Sequence, residues 1–236
     1  MRLIWIVAAG AGLVVAAGGA VLWGLKPWAD KTVPPPPIVA GTGAAPISGQ
    51  PAVTIPEGFL LTEARSAIPL NQEGFGWTRA DNVNLPAQLD PCGEGPTGQS
   101  AIAGVRQLAL VGPTLWKSER LTVYRDVAAA TQAMATHREA LQRCAHHDEG
   151  DGIRTEWSWQ PLDLGEESFF VTGQRYRGAQ GVPGNHRGVV MRQGRALLQY
   201  VDFGQRTAPA TLDDVPSHRT DAATMAGKLS AALWAK

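Results

Sequence analysis

Residues 115–144 read LWKSERLTVYRDVAAATQAMATHREALQRC, and the change of period inside this stretch decides the fold. From Leu115 to Arg125 the period is two. Leu115, Leu121 and Val123 fall on one face and Ser118, Arg120 and Thr122 on the other, as in a β-strand. Asp126 then supplies a short carboxylate suited to accept from the first free N–H groups of a helix. Beyond it Val127, Ala130, Met134, His137, Leu141 and Cys144 recur at alternating spacings of three and four, which predicts a helix from Val127 to about Ala145 with that stripe toward the core. Upstream, Val105–Val111 predicts another strand, joined to the first across Gly112-Pro113 as an antiparallel hairpin.

Working outward, Leu60–Ala67 has the spacing of a short helix, and the Gly-, Asn- and Pro-rich stretch around Trp77, up to Cys92, reads as irregular. His146–Gly152 reads as a polar turn. Three strand regions follow: Ile153–Gln160, with Ile153, Trp157 and Trp159 on one face; Ser168–Arg177; and a hairpin of Arg187–Met191 with Ala196–Asp202 about Gln193-Gly194. A final helix, capped by Thr220 or Asp221, shows Ala222, Met225, Ala226, Leu229, Ala232 and Leu233 at helical spacing. The expected fold is α+β, a mainly antiparallel twisted sheet with two principal helices on one face.

The N-terminal region belongs to a different solvent. Leu3–Leu25 is uncharged and apolar, bracketed by Arg2 and Lys26, and at 1.5 Å per residue it reaches roughly 34 Å, enough to cross a bilayer core. Trp5 and Trp23 lie about 27 Å apart along such a helix, one indole per interface, with Trp28 just beyond. A cleavable signal is disfavoured by the length of the run and by the lack of a good small-residue cleavage site after it. Residues 1–28 are therefore expected to form a transmembrane signal-anchor helix. Residues 29–51, rich in Pro and Gly with Pro34–Pro37 enforcing extension, form a linker, and residues 52–236 form one extracytoplasmic domain. This places the chain in the cell membrane, single-pass, with the C-terminal domain outside the cytoplasm. Ala8, Gly12, Ala16 and Ala20 lay a small-residue strip along one helix face, a route to self-association through the transmembrane helix.

Cysteine usage agrees with export. Cys92 and Cys144 are the only two. They either pair as a disulfide, as an exported location favours, or remain two buried thiols. Neither belongs to a C-x-x-C pair, so no metal site is expected.

The chain carries 21 Lys plus Arg against 21 Asp plus Glu, which gives no basic surface for nucleic acid. Gly93–Gly98 spells G-x-G-x-x-G, yet Gln99 stands where a phosphate loop needs lysine and Pro96 removes a backbone donor, so the segment reads as a loop. The donors His146, His147, Asp148, Glu149 and Asp151 read as a solvated turn, because adjacent side chains past a helix end diverge. Neither G-x-S-x-G nor H-E-x-x-H occurs. No cofactor is expected and the chain is not expected to be an enzyme.

LDPCGEG around Cys92, VYRDVAAATQAMATHREALQRC ending at Cys144, DLGEESFFV around Gly165 and GVVMRQGRALLQYV together resemble the PknH-like extracellular sensor domain of actinobacterial membrane proteins and lipoproteins. The resemblance covers most of residues 55–236. It implies a cysteine-tied α+β domain, displayed outside the membrane, with a cleft for a small ligand. This chain departs from the family's kinase in carrying no kinase domain and cysteines for one rather than two disulfides.

Beside that resemblance, Trp116, Tyr124, Arg175, Tyr176, Arg187 and Arg192 are large aromatic or guanidinium groups on sheet segments, the types that stack on and grip a small anionic or sugar-like ligand. The function expected is a membrane-anchored extracytoplasmic sensor or small-ligand-binding domain without catalysis. The alternatives are an envelope structural or protein-interaction module and an exported hydrolase. Protease added to intact cells stripped of their wall is expected to digest the domain and leave only helix and tether. Full protection would overturn the topology.

Overall fold

The computed structural model describes residues 52–66, 75–82, 88–93, 99–113, 115–205, 216–232 and 235. The anchor helix, its small-residue strip and the linker lie outside these residues, as do residues 94–98 of the glycine-rich motif. Among the described residues no helix is long and apolar enough to cross a membrane.

The elements, in order, are α1 (Leu61–Ser66), β1 (Gly76–Ala80), a single 3-10 turn (Gln99–Ala101), β2 (Ile102–Val111), β3 (Leu115–Tyr124), α2 (Val127–Arg143), β4 (His146–Gly150), β5 (Ile153–Leu162), β6 (Glu167–Arg177), β7 (Gln180–Gly181), β8 (Asn185–Gln193), β9 (Ala196–Gly204) and α3 (Pro216–Ala231). The strands form one antiparallel sheet in the order β1-β2-β3-β9-β8-β6-β5-β4, with β7 beside β6. Gly112 N–H closes the β2–β3 hairpin on the Leu115 carbonyl at 2.9 Å, at the predicted Gly-Pro punctuation. Gly194, at φ 57°, supplies the left-handed residue that turns β8 into β9.

Two cores sit on opposite faces of this sheet. One joins Leu108, Leu121, Val123, Phe170, Val189, Met191, Leu198 and Tyr200 to Ala222, Met225 and Leu229 of α3. The other joins Ala109, Trp116, Tyr124, Phe169, Val171, Val190, Leu197 and Val201 to Ala130, Met134 and Leu141 of α2. Neighbouring residues of one strand, such as Leu197 and Leu198, serve different cores because side chains alternate across a sheet. The expectation of both helices on one face is therefore corrected to one helix on each. Periodicity shows that a helix has an apolar side, but not which face of the sheet receives it.

Helix α2 begins as expected. Asp126, extended at φ −151°, accepts from Ala129 N–H at 2.7 Å. Its stripe is shorter than predicted, because Val127 is 43% exposed and the buried part starts at Ala130. Helix α3 begins a turn earlier than Thr220, at Pro216, whose fixed φ and missing N–H suit a first helical position. Two further corrections concern strands. Gly76–Ala80 pairs with β2, and the supposed turn at His146 is strand β4 on the far edge, where charged side chains discourage further pairing. Gly165, at φ +61°, leaves no room for a side chain, since a Cβ would come within 2.7 Å of the Arg192 carbonyl.

Cys92 and Cys144 are bonded, with Cα atoms 5.3 Å apart across 52 residues of chain. The bond ties the C-cap of α2 to the loop preceding the 3-10 turn. Cys144→Ala is expected to cost about 2–5 kcal/mol, read as a lower denaturant midpoint that reductant cannot lower further. A variant as stable as the wild type would contradict this.

Candidate functional site

The six sequence candidates do not converge. Trp116, Tyr124, Arg175 and Arg192 lie on the α2 face, whereas Tyr176 and Arg187 lie on the α3 face, by strand parity with the residues of the two cores. Trp116 and Tyr124 stand at opposite ends of β3, roughly 26 Å apart at 3.3 Å per residue. Arg175, Arg192, Tyr176 and Arg187 each have an internal partner. Arg175 Nη2 donates to Glu149 at 2.6 Å and its Nη1 to the Pro183 carbonyl at 3.0 Å. Arg192 Nη1 donates to Glu166 at 2.5 Å, and Tyr176 carries the Arg154 guanidinium over its ring at 5.1 Å. Arg187 donates to Asp202 at 3.1 Å. Burial pushes the Asp202 carboxyl up, but the His218 hydrogen bond and the charges of His218, Lys117 and Arg187 outweigh it and hold the group below its ordinary value.

Tyr124 is the member of the six that lines the groove beneath α2. Between α2 and the sheet runs a groove of about 530 Å³, within the size range of small-molecule sites. Its floor is Arg120, Thr122 and Tyr124 of β3 with Leu197 and Gln199 of β9. Ala129, Gln132, Ala133, Thr136, His137 and Ala140 of α2 form one wall, and Leu89–Cys92, held by the disulfide, form the opposite lip.

Register explains the polar part of the floor. Gln107, Arg120 and Gln199 are cross-strand partners on β2, β3 and β9, so they form a row on the α2 face. Arg120 is 5% exposed, its Nε 3.4 Å from Thr122 Oγ1. Helix α2 meets this row at His137, whose Nε2 is 3.3 Å from Gln199 Nε2. Gln107 Oε1 is buried without a hydrogen-bond partner among the described residues.

The electrostatics are those of a desolvated cation. Burial lowers the Arg120 guanidinium to about 10, opposed by Tyr124. Burial likewise pushes the Tyr124 phenol up to about 12, opposed by Arg120, so it stays a neutral donor at physiological pH. His137 is pushed down to about 4, first by burial and then by the Arg120 charge, against a small opposing effect of Asp90. The groove thus presents a guanidinium, a neutral imidazole, an amide and a phenol together with the Asp90 and Asp126 carboxylates beside apolar side chains, an arrangement that can hold a polar molecule.

Arg120, His137 and Gln199 were not among the binding candidates. Arg120 was visible on the polar face of β3, but a polar strand face ordinarily meets water. The signal was that β3 enters α2 directly, which lets the helix fold back over that face.

No family model and no curated protein matches the chain. Among solved structures, the extracellular domain of PknH from Mycobacterium tuberculosis is similar over 76% of this chain and 98% of its own, at 9% identity and a TM-score of 0.47. An uncharacterized protein from Mycobacterium smegmatis is similar over 70% of this chain and 93% of its own, at 11% identity and a TM-score of 0.34. The first of these bears the name of the family that the sequence motifs resemble.

His186 is also held down to about 4, by burial and by Arg175 against the opposing effect of Glu149. Both histidines therefore bind protons more weakly folded than unfolded, where the value is 6.5. As pH falls from about 6.5 to 4 the unfolded chain takes up protons that the folded chain refuses, so stability falls over that window and is fully present above it. Urea midpoints are expected to drop between pH 7 and pH 4.5, and to drop less in the His137→Gln/His186→Gln variant. An equal drop in both would contradict these assignments.

Proposed function

We propose that this chain is a membrane-anchored extracytoplasmic domain of sensor type, which captures a small ligand in the groove beneath α2 without transforming it. The carrying observation is the buried Arg120 on the floor of a cavity of ligand size, in one row with Gln107 and Gln199 and capped by His137. A guanidinium on the floor of a groove carries several N–H donors in a fixed fork, which suits it to hold a ligand acceptor. Tyr124 stays in the proposed site. Arg175, Arg187 and Arg192 serve the sheet through their ion pairs, Tyr176 packs under Arg154, and Trp116 belongs to the core.

The anchor helix and linker support display of the domain outside the cytoplasm, and the disulfide is consistent with an oxidising compartment. A bound molecule would bridge β3, β9, α2 and the disulfide-held lip, so occupancy would stiffen segments otherwise joined at a cleft. Native mass spectrometry of the full chain purified from its own host tests this reading. A retained non-protein mass, lost in Ala133→Trp, is the expected result. A retained mass indifferent to that substitution would place binding elsewhere.

A further inference from the structure

The two sulfurs that hold the lip of the groove stand in unlike surroundings. Cys92 and Cys144 are both half-buried and belong to neither core, so the bond between them lies within reach of a thiol arriving from solvent. Arg143, exposed in the last turn of α2, brings Nη2 to 3.4 Å from Cys92 Sγ. A guanidinium carries five N–H donors, so this contact holds beside the other interactions of Arg143. The Ala140 carbonyl lies 3.6 Å from the same sulfur, an acceptor in place for a Cys92 thiol. Cys144 instead is the C-cap of α2, at the negative end of the helix dipole, where an anion is disfavoured. Asp90 is a carboxylate of the same lip and acts against an anion there, so it is the guanidinium contact that sets one sulfur apart from the other.

We propose that the Cys92–Cys144 disulfide is a thiol-exchange site, at which an external dithiol attacks Cys144 and Cys92 departs as a thiolate beside Arg143. The attacking thiolate forms a bond to Cys144 Sγ as the bond between the two cysteines breaks, and the electron pair leaves on Cys92 Sγ. The second thiol of the reductant then displaces Cys144. The dithiol ends as a disulfide, both cysteines end as thiols, and the two protons they gain are those the dithiol gives up. Exchange is faster when the departing sulfur is the better-stabilised anion, which is why the guanidinium on Cys92 selects Cys144 as the sulfur attacked. Cleavage removes the covalent hold of Leu89–Cys92 on the end of α2. Leu89 in the core and the Gln88–Ser118 hydrogen bond then remain as the attachments of the lip, so it loosens while the sheet stays folded. That this loosening governs ligand capture rests on the reading of the groove as a binding site.

The full chain in nanodiscs is treated with glutathione, quenched in acid at early times and mapped by non-reducing peptide mass spectrometry, and separately reduced with dithiothreitol. Glutathione is expected on Cys144 at least about fivefold more often than on Cys92. Arg143→Gln is expected to bring that ratio toward one and to slow reduction, and Arg143→Lys to keep part of the preference, while near-ultraviolet circular dichroism of the oxidised variants stays unchanged. After reduction, hydrogen exchange is expected to speed up at residues 89–93 and 141–145 while β3 and β9 stay protected. Equal adducts on both cysteines in the wild type, which needs no variant to read, or a preference that survives Arg143→Gln, overturns the assigned roles of the two sulfurs. Reduction that occurs only in urea overturns the exchange site itself. Unchanged protection of the lip after reduction overturns the loosening. A retained ligand mass indifferent to Ala133→Trp overturns the groove as the binding site and leaves the adduct ratio standing, so the two failures are told apart.

Discussion

Burial of the central strands on both faces is the constraint on which this structure depends. In β9 every residue from Ala196 to Asp202 is buried, and β3 is buried from Ser118 to Tyr124. Such strands cannot tolerate water on either side, so each face needs its own cover. Helix α3 covers one with Met225 and Leu229, and α2 covers the other with Met134 and Leu141. The charged groups left inside are paired by neighbouring elements. Glu119, fully buried on the α3 face, accepts from the backbone of Leu61 and Thr62, from the Thr62 hydroxyl and from Tyr200, and so fastens α1 to the sheet.

The α2 face is less completely closed. Asp126 fixes where the helix begins and the disulfide fixes where it ends, while alanines along its inner side keep it from filling the space above β3 and β9. A fully packed face would gain stability from apolar contact. Keeping Arg120, Gln199 and His137 there instead spends some of that gain on a desolvated polar row. The groove beneath α2 thus combines a ligand-sized volume, a buried guanidinium and a covalently held lip.

Much of the fold was legible in the residues themselves, because hairpin turns, the Asp126 cap and the two helical stripes are local signals. The β2–β3 and β8–β9 hairpins, α2 and the Cys92–Cys144 pair stand where the pattern puts them. Long-range choices were not legible. Which face receives each helix depends on the order of strands in the sheet, and β9 inserts between β3 and β8 although it is last in sequence. Edge strand β4 was hidden for a different reason: its backbone pairs with β5 while HHDEG carries no apolar alternation. The site was missed through the same limitation. Arginines such as Arg175 and Arg192 looked available because their partners Glu149 and Glu166 are distant in sequence, and Arg120 looked solvated because its cover is the helix that follows.

Methyl NMR of the folded chain tests the two-faced arrangement most directly. The account predicts that the Met134 methyl shows nuclear Overhauser contacts within the set of Val171, Val190, Leu197 and Val201, and that the Met225 methyl shows contacts within the separate set of Val189, Met191 and Leu198. Contacts from both methionines to one shared set would put both helices on the same face, remove the groove beneath α2 and contradict the account.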